Sequence, residues 1–325
     1  MKVLFVTNMY PTAERPSFGI FVARQAAALR EAGVDVAVEP IAGHRRQPDY
    51  FLARRRIAAA VRRERPDLIH CHYGYSPIAA AFQGLPFVVT LCGDDLNGES
   101  DGAGDIRFKS RLGIVVSQAF AARAARVIVV SNAMQSLLWA HTRARSEVLP
   151  YGIDDRLFSM GSRSEARRRL GLSEDGLVLS FVNSCRQRTK RLDVARATAA
   201  ELVRRGVATH LLVADDVPAD DMPWYYRAAN CLIMTSEREG TPNCVLESLA
   251  CGVPVVSVPI GDLSMIVDAP ARGRVVPRDP AVLADTVLEL CASSPVPAPG
   301  LLPARFRADT ITSRLVELYR EILAQ

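Results

Sequence analysis

Several features that would place this chain in a large functional class are missing from it. No G-x-x-x-x-G-K stretch occurs in its 325 residues, so a P-loop cradle for nucleoside triphosphates is excluded. No Asp-x-Asp occurs, and the Asp-Asp doublets at 94–95, 154–155, 215–216 and 220–221 do not share one strand end. The seven cysteines (71, 92, 185, 231, 244, 251, 291) are odd in number and form no C-x-x-C pair. They read as reduced thiols, not as a disulfide scaffold or a zinc site. The spacing of His70 and His72 hints at a metal, but no carboxylate or further histidine completes a ligand set nearby. Gly102-Ala103-Gly104 resembles half of a dinucleotide fingerprint, with Arg107 where the third glycine belongs. No apolar run is long enough to cross a bilayer. The opening Lys2–Thr7 reads as a strand and lacks the charged-then-apolar layout of a signal peptide, which predicts a cytoplasmic protein.

What is present suits a chain of two domains. At this length two domains are expected, and 49% apolar residues suffice for two cores. The net charge of +5 comes largely from arginine. It favours anionic ligands such as nucleotide diphosphates or acidic lipid surfaces, and does not by itself indicate nucleic acid. Strand and helix patterns alternate throughout, which predicts parallel sheets. Strands are expected at Val3–Val6, Val34–Glu39, Leu68–His70, Phe87–Leu91 and Val127–Val130, then at Leu177–Phe181, Thr209–Val213, Cys231–Met234 and Val255–Val258. Helices are expected at Phe21–Ala32, Arg54–Arg65, Leu192–Arg205, near Trp224–Ala229, at Val282–Cys291 and at Thr310–Ala324. The two halves repeat one layout without an internal sequence repeat.

The most informative stretch runs from Ser236 to Val256, S-E-R-E-G-T-P-N-C-V-L-E-S-L-A-C-G-V-P-V-V. Glu239 and Glu247 stand on either side of a Gly240-Thr241-Pro242-Asn243 turn that opens a short apolar helix. Pro242 fits a turn or a first helical position, and Asn243 is expected to cap the helix. Unpaired first-turn N–H groups make an anion site. Carboxylates on both sides offer acceptors to neutral hydroxyls. A phosphate between two sets of sugar hydroxyls fits this pattern.

The segment resembles the donor-binding signature of the retaining glycosyltransferases of family 4, with its two glutamates spaced E-x7-E. The resemblance implies an α/β protein of GT-B fold, two Rossmann-like doubly wound domains facing a central cleft. It implies residues 1–155 as the acceptor-side domain, completed by a terminal helix at 309–325, and residues 156–308 as the nucleotide-sugar domain. Glu239 would face the transferred sugar and Glu247 the nucleotide ribose. Backbone groups of Gly240, Thr241, Asn243, Cys244 and Val245 would hold the diphosphate and sugar. In the family an arginine and a lysine steady the pyrophosphate. Lys190 matches the lysine, while Ser184 occupies the usual arginine position, so Arg186 or Arg188 would substitute. Cations there would neutralise charge on the leaving diphosphate.

The first half carries weaker matches. The family's Gly-Gly loop after the first strand is reduced to Gly19, preceded by Phe18. His72 matches a histidine-bearing loop and is expected at the cleft, with His70 in the core. Cys92 stands where relatives carry a histidine that contacts the donor sugar, and Asp95 matches an aspartate of the same loop. A thiol bonds weakly and cannot be a cationic donor, so either the donor is handled without an imidazole or activity is lost. Arg54–Arg56 and Arg62–Arg65 flank the apolar Ile57–Val61, a pattern compatible with a solvated outer helix or with an anionic membrane; Arg107, Lys109 and Arg111 raise the same choice.

Together these observations predict a retaining hexosyltransferase (EC 2.4) that moves sugar from a nucleotide-diphospho sugar to a glycan, lipid-linked or small-molecule acceptor. A place in polysaccharide biosynthesis is the commonest family outcome. No metal ion or other cofactor is expected, and no nucleic-acid partner. The rival readings are a catalytically silent GT-B partner protein and a nucleotide-sugar epimerase or hydrolase on the same fold.

Overall fold

The computed structural model of the chain describes residues 1–42, 49–98, 107–183, 188–267, 269–293 and 298–325. They form two compact units, one of residues 1–152 with 308–325 and one of residues 153–307.

The first unit is built on a parallel sheet of six strands: β1 (Lys2–Thr7), β2 (Asp35–Pro40), β3 (Leu68–His72), β4 (Phe87–Leu91), β5 (Arg126–Val129) and β6 (Ser146–Val148). Their order across the sheet is β2-β1-β3-β4-β5-β6. Every residue of β3 and β4 is buried, as expected of parallel strands covered on both faces. The covering helices show the matching periodicity. In the terminal helix Ala308–Leu323, residues Ile311, Leu315, Leu318, Tyr319 and Ile322 share one face and enter the core formed by β1, β3 and β4.

The second unit repeats the scheme with β7 (Leu177–Val182), β8 (Thr209–Ala214), β9 (Cys231–Met234), β10 (Val255–Ser257) and β11 (Gly273–Val275), ordered β11-β10-β9-β7-β8. All its pairings are parallel.

Both sheets therefore reverse winding direction beside their first strand, between β1 and β3 and between β7 and β9. Loops leaving such a pair of strands diverge to opposite faces and open a crevice at the carboxyl edge, where ligands of doubly wound sheets bind. In the second unit the loops after β7 and β9 carry Lys190 and Glu239. In the first, the loop after β1 carries Gly19 and the end of β3 carries His72.

The helix that follows the signature loop spans Asn243–Ala250. Its start corrects one expectation. Pro242, at φ −73° and ψ 105°, is the extended residue before the first turn, so Asn243 is already helical and no side-chain cap bond forms. Gly252, at φ 75°, ends the segment in a left-handed conformation that other residues adopt with difficulty.

Candidate active site

In the second unit, the loop after β7 closes with a short 3-10 turn, Arg188–Lys190, and the loop after β9 runs from Thr235 through Glu239. Several hydrogen bonds stitch the two together. The Glu237 N–H donates to the Thr189 carbonyl at 2.8 Å, and the Thr235 hydroxyl lies 3.0 Å and 2.9 Å from the Lys190 and Arg191 carbonyls. Arg191 holds a left-handed φ of 56°, unusual for a side chain of its size and common at functional turns. The result is an ion pair across the switch point: Lys190 Nζ donates to Glu239 Oε1 at 2.7 Å, with the side chains only 12% and 17% exposed.

Glu247 stands in the second turn of the Asn243–Ala250 helix and is half-buried. Its Oε2 accepts from the Tyr226 hydroxyl at 2.7 Å. Tyr226 is fully buried, and burial together with the nearby carboxylate pushes its pKa well above the ordinary phenol value. It therefore stays a donor and fixes the carboxylate's direction. Cys244 and Val245 turn their side chains into the core, and the Val245 N–H donates to the Pro242 carbonyl at 3.0 Å. Gly240 and Thr241 are half-buried between the two glutamates, and Gly261, in the loop after β10, brings its backbone close to the Gly240 carbonyl. Arg186 lies outside the described residues.

In the first unit, four expected residues sit at the carboxyl edge of the sheet. Gly19, at φ 69°, begins the Ile20–Glu31 helix, and a Cβ there would overlap the Met9 carbonyl, so only glycine lets the two loop segments touch. Asp95 is buried, and its carboxylate accepts from the N–H groups of Gly74 (3.0 Å), Cys92 (2.9 and 3.1 Å) and Gly93 (2.8 Å). Burial raises its pKa, and these bonds oppose the rise. Asp95 thus ties the loop after β3 to the loop after β4.

Both histidines are fully buried, including His72, which was expected at a cleft. His70 meets the Tyr319 hydroxyl at 2.5 Å and the Thr90 hydroxyl at 2.7 Å, and burial lowers its pKa to about 3. His72 stacks on His70 and is held through Nδ1 by the Tyr151 hydroxyl at 3.0 Å. Its Nε2 has no partner among the described residues. Burial, and then the neighbouring ring, hold His72 well below the ordinary imidazole pKa, so it is neutral. The same Tyr151 hydroxyl lies 3.3 Å from Cys92 Sγ. Burial raises the Cys92 pKa, which leaves a neutral thiol.

Tyr226 and Tyr151 were not singled out by sequence. Each lies far along the chain from the residue it orients, and an isolated tyrosine in an apolar context reads as core. Recesses among the described residues of this unit include the following two. One of about 190 Å³, lined in part by Tyr73, Tyr75, Asp94, Asp95 and Ser117, adjoins the Asp95 loop. The other, of about 430 Å³ near Phe87, Arg123 and Arg145, lies by the amino ends of β4 and β5, away from these residues. Among the described residues no group of three or more His, Cys, Asp or Glu is arranged to hold a metal ion, and no helix is long and apolar enough to cross a membrane.

Residues 3–157 match the model of Glycosyltransferase Family 4, and residues 175–293 that of Glycosyl transferases group 1. A D-inositol 3-phosphate glycosyltransferase of Salinispora arenicola (strain CNS-205) is 31% identical over 79% of this chain and 69% of its own length. The chain belongs to glycosyltransferase family 4.

A Bacillus subtilis (strain 168) protein whose name is that of a teichuronic acid biosynthesis glycosyltransferase, TuaC, is 26% identical to this glycosyltransferase, with 88% of each chain covered. Among solved structures, the sucrose-phosphate synthase of Thermosynechococcus elongatus superposes with a TM-score of 0.79 at 18% identity, covering both chains fully. Anabaena HepE, solved in complex with UDP-glucose, gives 0.74 at 18% identity, covering 99% of this chain and 100% of the other. The fold is GT-B, as the family resemblance implies, and the enzyme is a glycosyltransferase.

Proposed function

We propose that this family 4 enzyme takes a hexosyl group from a nucleotide-diphospho sugar bound to its second unit and transfers it with retention of configuration. The observation that carries the reading is the Lys190–Glu239 pair beside the start of the Asn243–Ala250 helix. One end of the pair is a cation suited to a leaving diphosphate, and the other is a carboxylate suited to a sugar hydroxyl. The N–H groups of Asn243 and Cys244 begin that helix, where the helix dipole favours an anion, while the Val245 N–H is taken by the Pro242 carbonyl at 3.0 Å. Glu247, aimed by Tyr226, is the acceptor for ribose hydroxyls. HepE, named above, was solved with UDP-glucose, which supports a donor of this class.

The catalytic work is electrostatic. As the glycosidic bond to the diphosphate lengthens, negative charge grows on the departing phosphate, and Lys190 with the helix amides stabilises it more than the ground state. Arg186 is proposed as a second cation. No protein nucleophile is assigned: Cys92 is a neutral thiol whose neighbours are the Tyr151 hydroxyl and the Thr90 carbonyl, so no base activates it. Attack from the face the diphosphate leaves, with that phosphate taking the acceptor's proton, accounts for retention. Asp95, Gly19, Cys92 and His72 shape the acceptor side of the reaction. His72, fully buried, contributes only indirectly, as a neutral ring stacked on His70 and held by the Tyr151 hydroxyl.

The leaving group is held without a divalent ion. Activity should survive exhaustive chelation; complete loss restored by manganese would sink this part of the proposal. The acceptor is a glycan or a lipid-linked sugar of polysaccharide assembly, and the reaction is cytoplasmic, in keeping with six described cysteines that are all free thiols. The test of the whole is transfer from UDP-, GDP- and ADP-linked hexoses, with the product anomer read by NMR. Retained configuration with one donor is expected; inversion, or sugar release with no dependence on any acceptor, would contradict it.

A further inference from the structure

Four of the six described cysteines, Cys71, Cys92, Cys244 and Cys251, are held as neutral thiols by burial, which raises the pKa of each. The other two, Cys231 and Cys291, meet in the second unit. Cys231 opens β9 and is fully buried. Side chains alternate along a strand. Met234, at the end of β9, lies with its Sδ 4.0 Å from Cys244 Sγ, on the face covered by the Asn243–Ala250 helix. Cys231 therefore points to the opposite face. There it reaches Cys291 of the helix Pro280–Ser293, and the two thiols share a hydrogen bond. Ala284, Val287 and Cys291 recur at i, i+3 and i+7, so Cys291 continues the face by which that helix enters the core. Unlike Cys231, it is only half-buried. Arg163, the first residue of the helix Arg163–Arg169, lies close enough for its charge to act on both sulfurs. The pair is unequal. The Cys231 S–H donates to Cys291 Sγ, which holds Cys291 below the ordinary thiol pKa with help from Arg163. The same bond, and then burial, hold Cys231 well above it.

We propose that Cys231 and Cys291 form a peroxide-responsive dithiol that closes reversibly into a disulfide, pinning the helix Pro280–Ser293 to β9. A solvent-reachable thiolate beside a buried, protonated partner is the arrangement such chemistry requires. The Cys291 thiolate attacks one oxygen of hydrogen peroxide or an alkyl hydroperoxide and breaks the O–O bond. It becomes a sulfenic acid, and hydroxide or alkoxide leaves. The Cys231 sulfur then displaces the hydroxyl from Cys291, the Cys231 proton departs with it as water, and the S–S bond forms. Together the two sulfurs lose the two electrons that the peroxide gains. A metal fits less well, because two thiols alone do not fill a coordination shell and no group of three ligating residues occurs among the described residues. The two cysteines stand 60 positions apart, and a link of that span restricts the unfolded chain strongly. It lies at the amino end of β9, about 10 Å along the strand from the end that leads to Glu239. The link steadies the second unit without entering the Lys190–Glu239 pair, and it does not depend on the transfer reaction proposed above.

The experiment treats the reduced full chain with a small excess of hydrogen peroxide, blocks the remaining thiols and maps the peptides by mass spectrometry. Wild type should lose two hydrogens, yield one linked peptide pair containing Cys231 and Cys291, and return to the starting mass with dithiothreitol. Its melting temperature should rise by roughly 5–15 °C on oxidation and fall back on reduction. Cys231→Ala should stop at a Cys291 sulfenic acid that dimedone traps. Cys291→Ala should leave Cys231 unmodified, and neither variant should show the melting shift. Because Cys231→Ala touches the core, Arg163→Gln serves as a second probe, leaving both thiols in place. It should slow the reaction several-fold and give the same product. Separate oxidation of the two cysteines, a link to any other cysteine, Cys185 included, or an oxidised form that melts no higher than the reduced one would each overturn the inference. An undiminished rate in Arg163→Gln would overturn the part assigned to that charge.

Discussion

Replacing Glu239 with glutamine should have opposite effects on two ligands. In the free enzyme Lys190 is engaged by Glu239 at 2.7 Å, and neither side chain is more than 17% exposed. A diphosphate arriving without its sugar must compete with that carboxylate for the cation. At a separation of about 4 Å and an effective dielectric near 20 the attraction is roughly 4 kcal/mol before desolvation. Partial burial returns much of this as desolvation cost, which leaves a net of about 1–2 kcal/mol to be overcome. Glu239→Gln keeps the shape and removes the competing charge. A nucleoside diphosphate should then bind about 5- to 30-fold more tightly, since about 1.4 kcal/mol is tenfold. The same variant should lose transfer by about a hundredfold or more if the carboxylate positions the sugar during bond breaking. Titration calorimetry with the diphosphate, beside turnover of the nucleotide-sugar, measures both. Weaker diphosphate binding by Glu239→Gln would refute the competition argument, and unchanged turnover would remove Glu239 from the reaction.

Other predictions follow from the partners. Tyr226→Phe should weaken nucleotide-sugar binding through Glu247 by about 1.5–3 kcal/mol, the value of a hydrogen bond to a charged group, and should have no further effect when Glu247 is already alanine; additive losses in calorimetry would separate the two residues. Asp95→Asn leaves three backbone N–H groups short of acceptor oxygens and should destabilise the first unit by about 2–4 kcal/mol, visible as a lowered melting temperature. Cys92→Ala should keep transfer within about threefold, because the thiol is neutral and has no activating base; abolished turnover would assign Cys92 a chemical role. The first unit should weaken in acid. His70 has its pKa lowered from 6.5 to about 3, so below pH 6.5 the unfolded chain takes up a proton that the folded one refuses. Stability then falls by about 2 kcal/mol for this ring between about pH 7.5 and pH 5, and His72, lowered in the same direction, adds to the loss. Hydrogen exchange of the β1 and β3 amides reads this directly, and equal protection at the two pH values would show that the rings are not held neutral.

Much of the fold was legible in the chain because parallel strands here are short, continuous apolar runs bounded by turn residues. Phe87–Leu91 and Cys231–Met234 match β4 and β9 residue for residue. The strands missed were β6 and β11, three residues each, whose sequences Ser146–Val148 and Gly273–Val275 carry a charged residue and only one apolar residue. The helix Phe108–Ala121 escaped because its apolar residues lie on two sides, which blurs the single-stripe pattern on which such readings depend. Lys190 and Glu239 were nameable because a motif marks them, yet their contact is a product of the β7–β9 switch point and spans 49 positions. Tyr226 and Tyr151 could not have been found by spacing, since their roles come from a hydroxyl reaching a distant partner. The capping expectation for Asn243 failed on a local detail: Pro242 takes the extended position and shifts the helix start by one residue.

The central claim, a nucleotide-sugar site built on Lys190, Glu239 and Glu247, is tested most directly by thermal shift with UDP-, GDP- and ADP-linked sugars on wild type and Glu247→Ala. A ligand that binds only the folded protein raises its melting temperature in proportion to the logarithm of concentration over dissociation constant. The account predicts a shift with one nucleotide class in wild type, lost in Glu247→Ala while the unliganded variant melts near wild type. A wild type that responds to none of the donors, or a shift that survives Glu247→Ala undiminished, would contradict it.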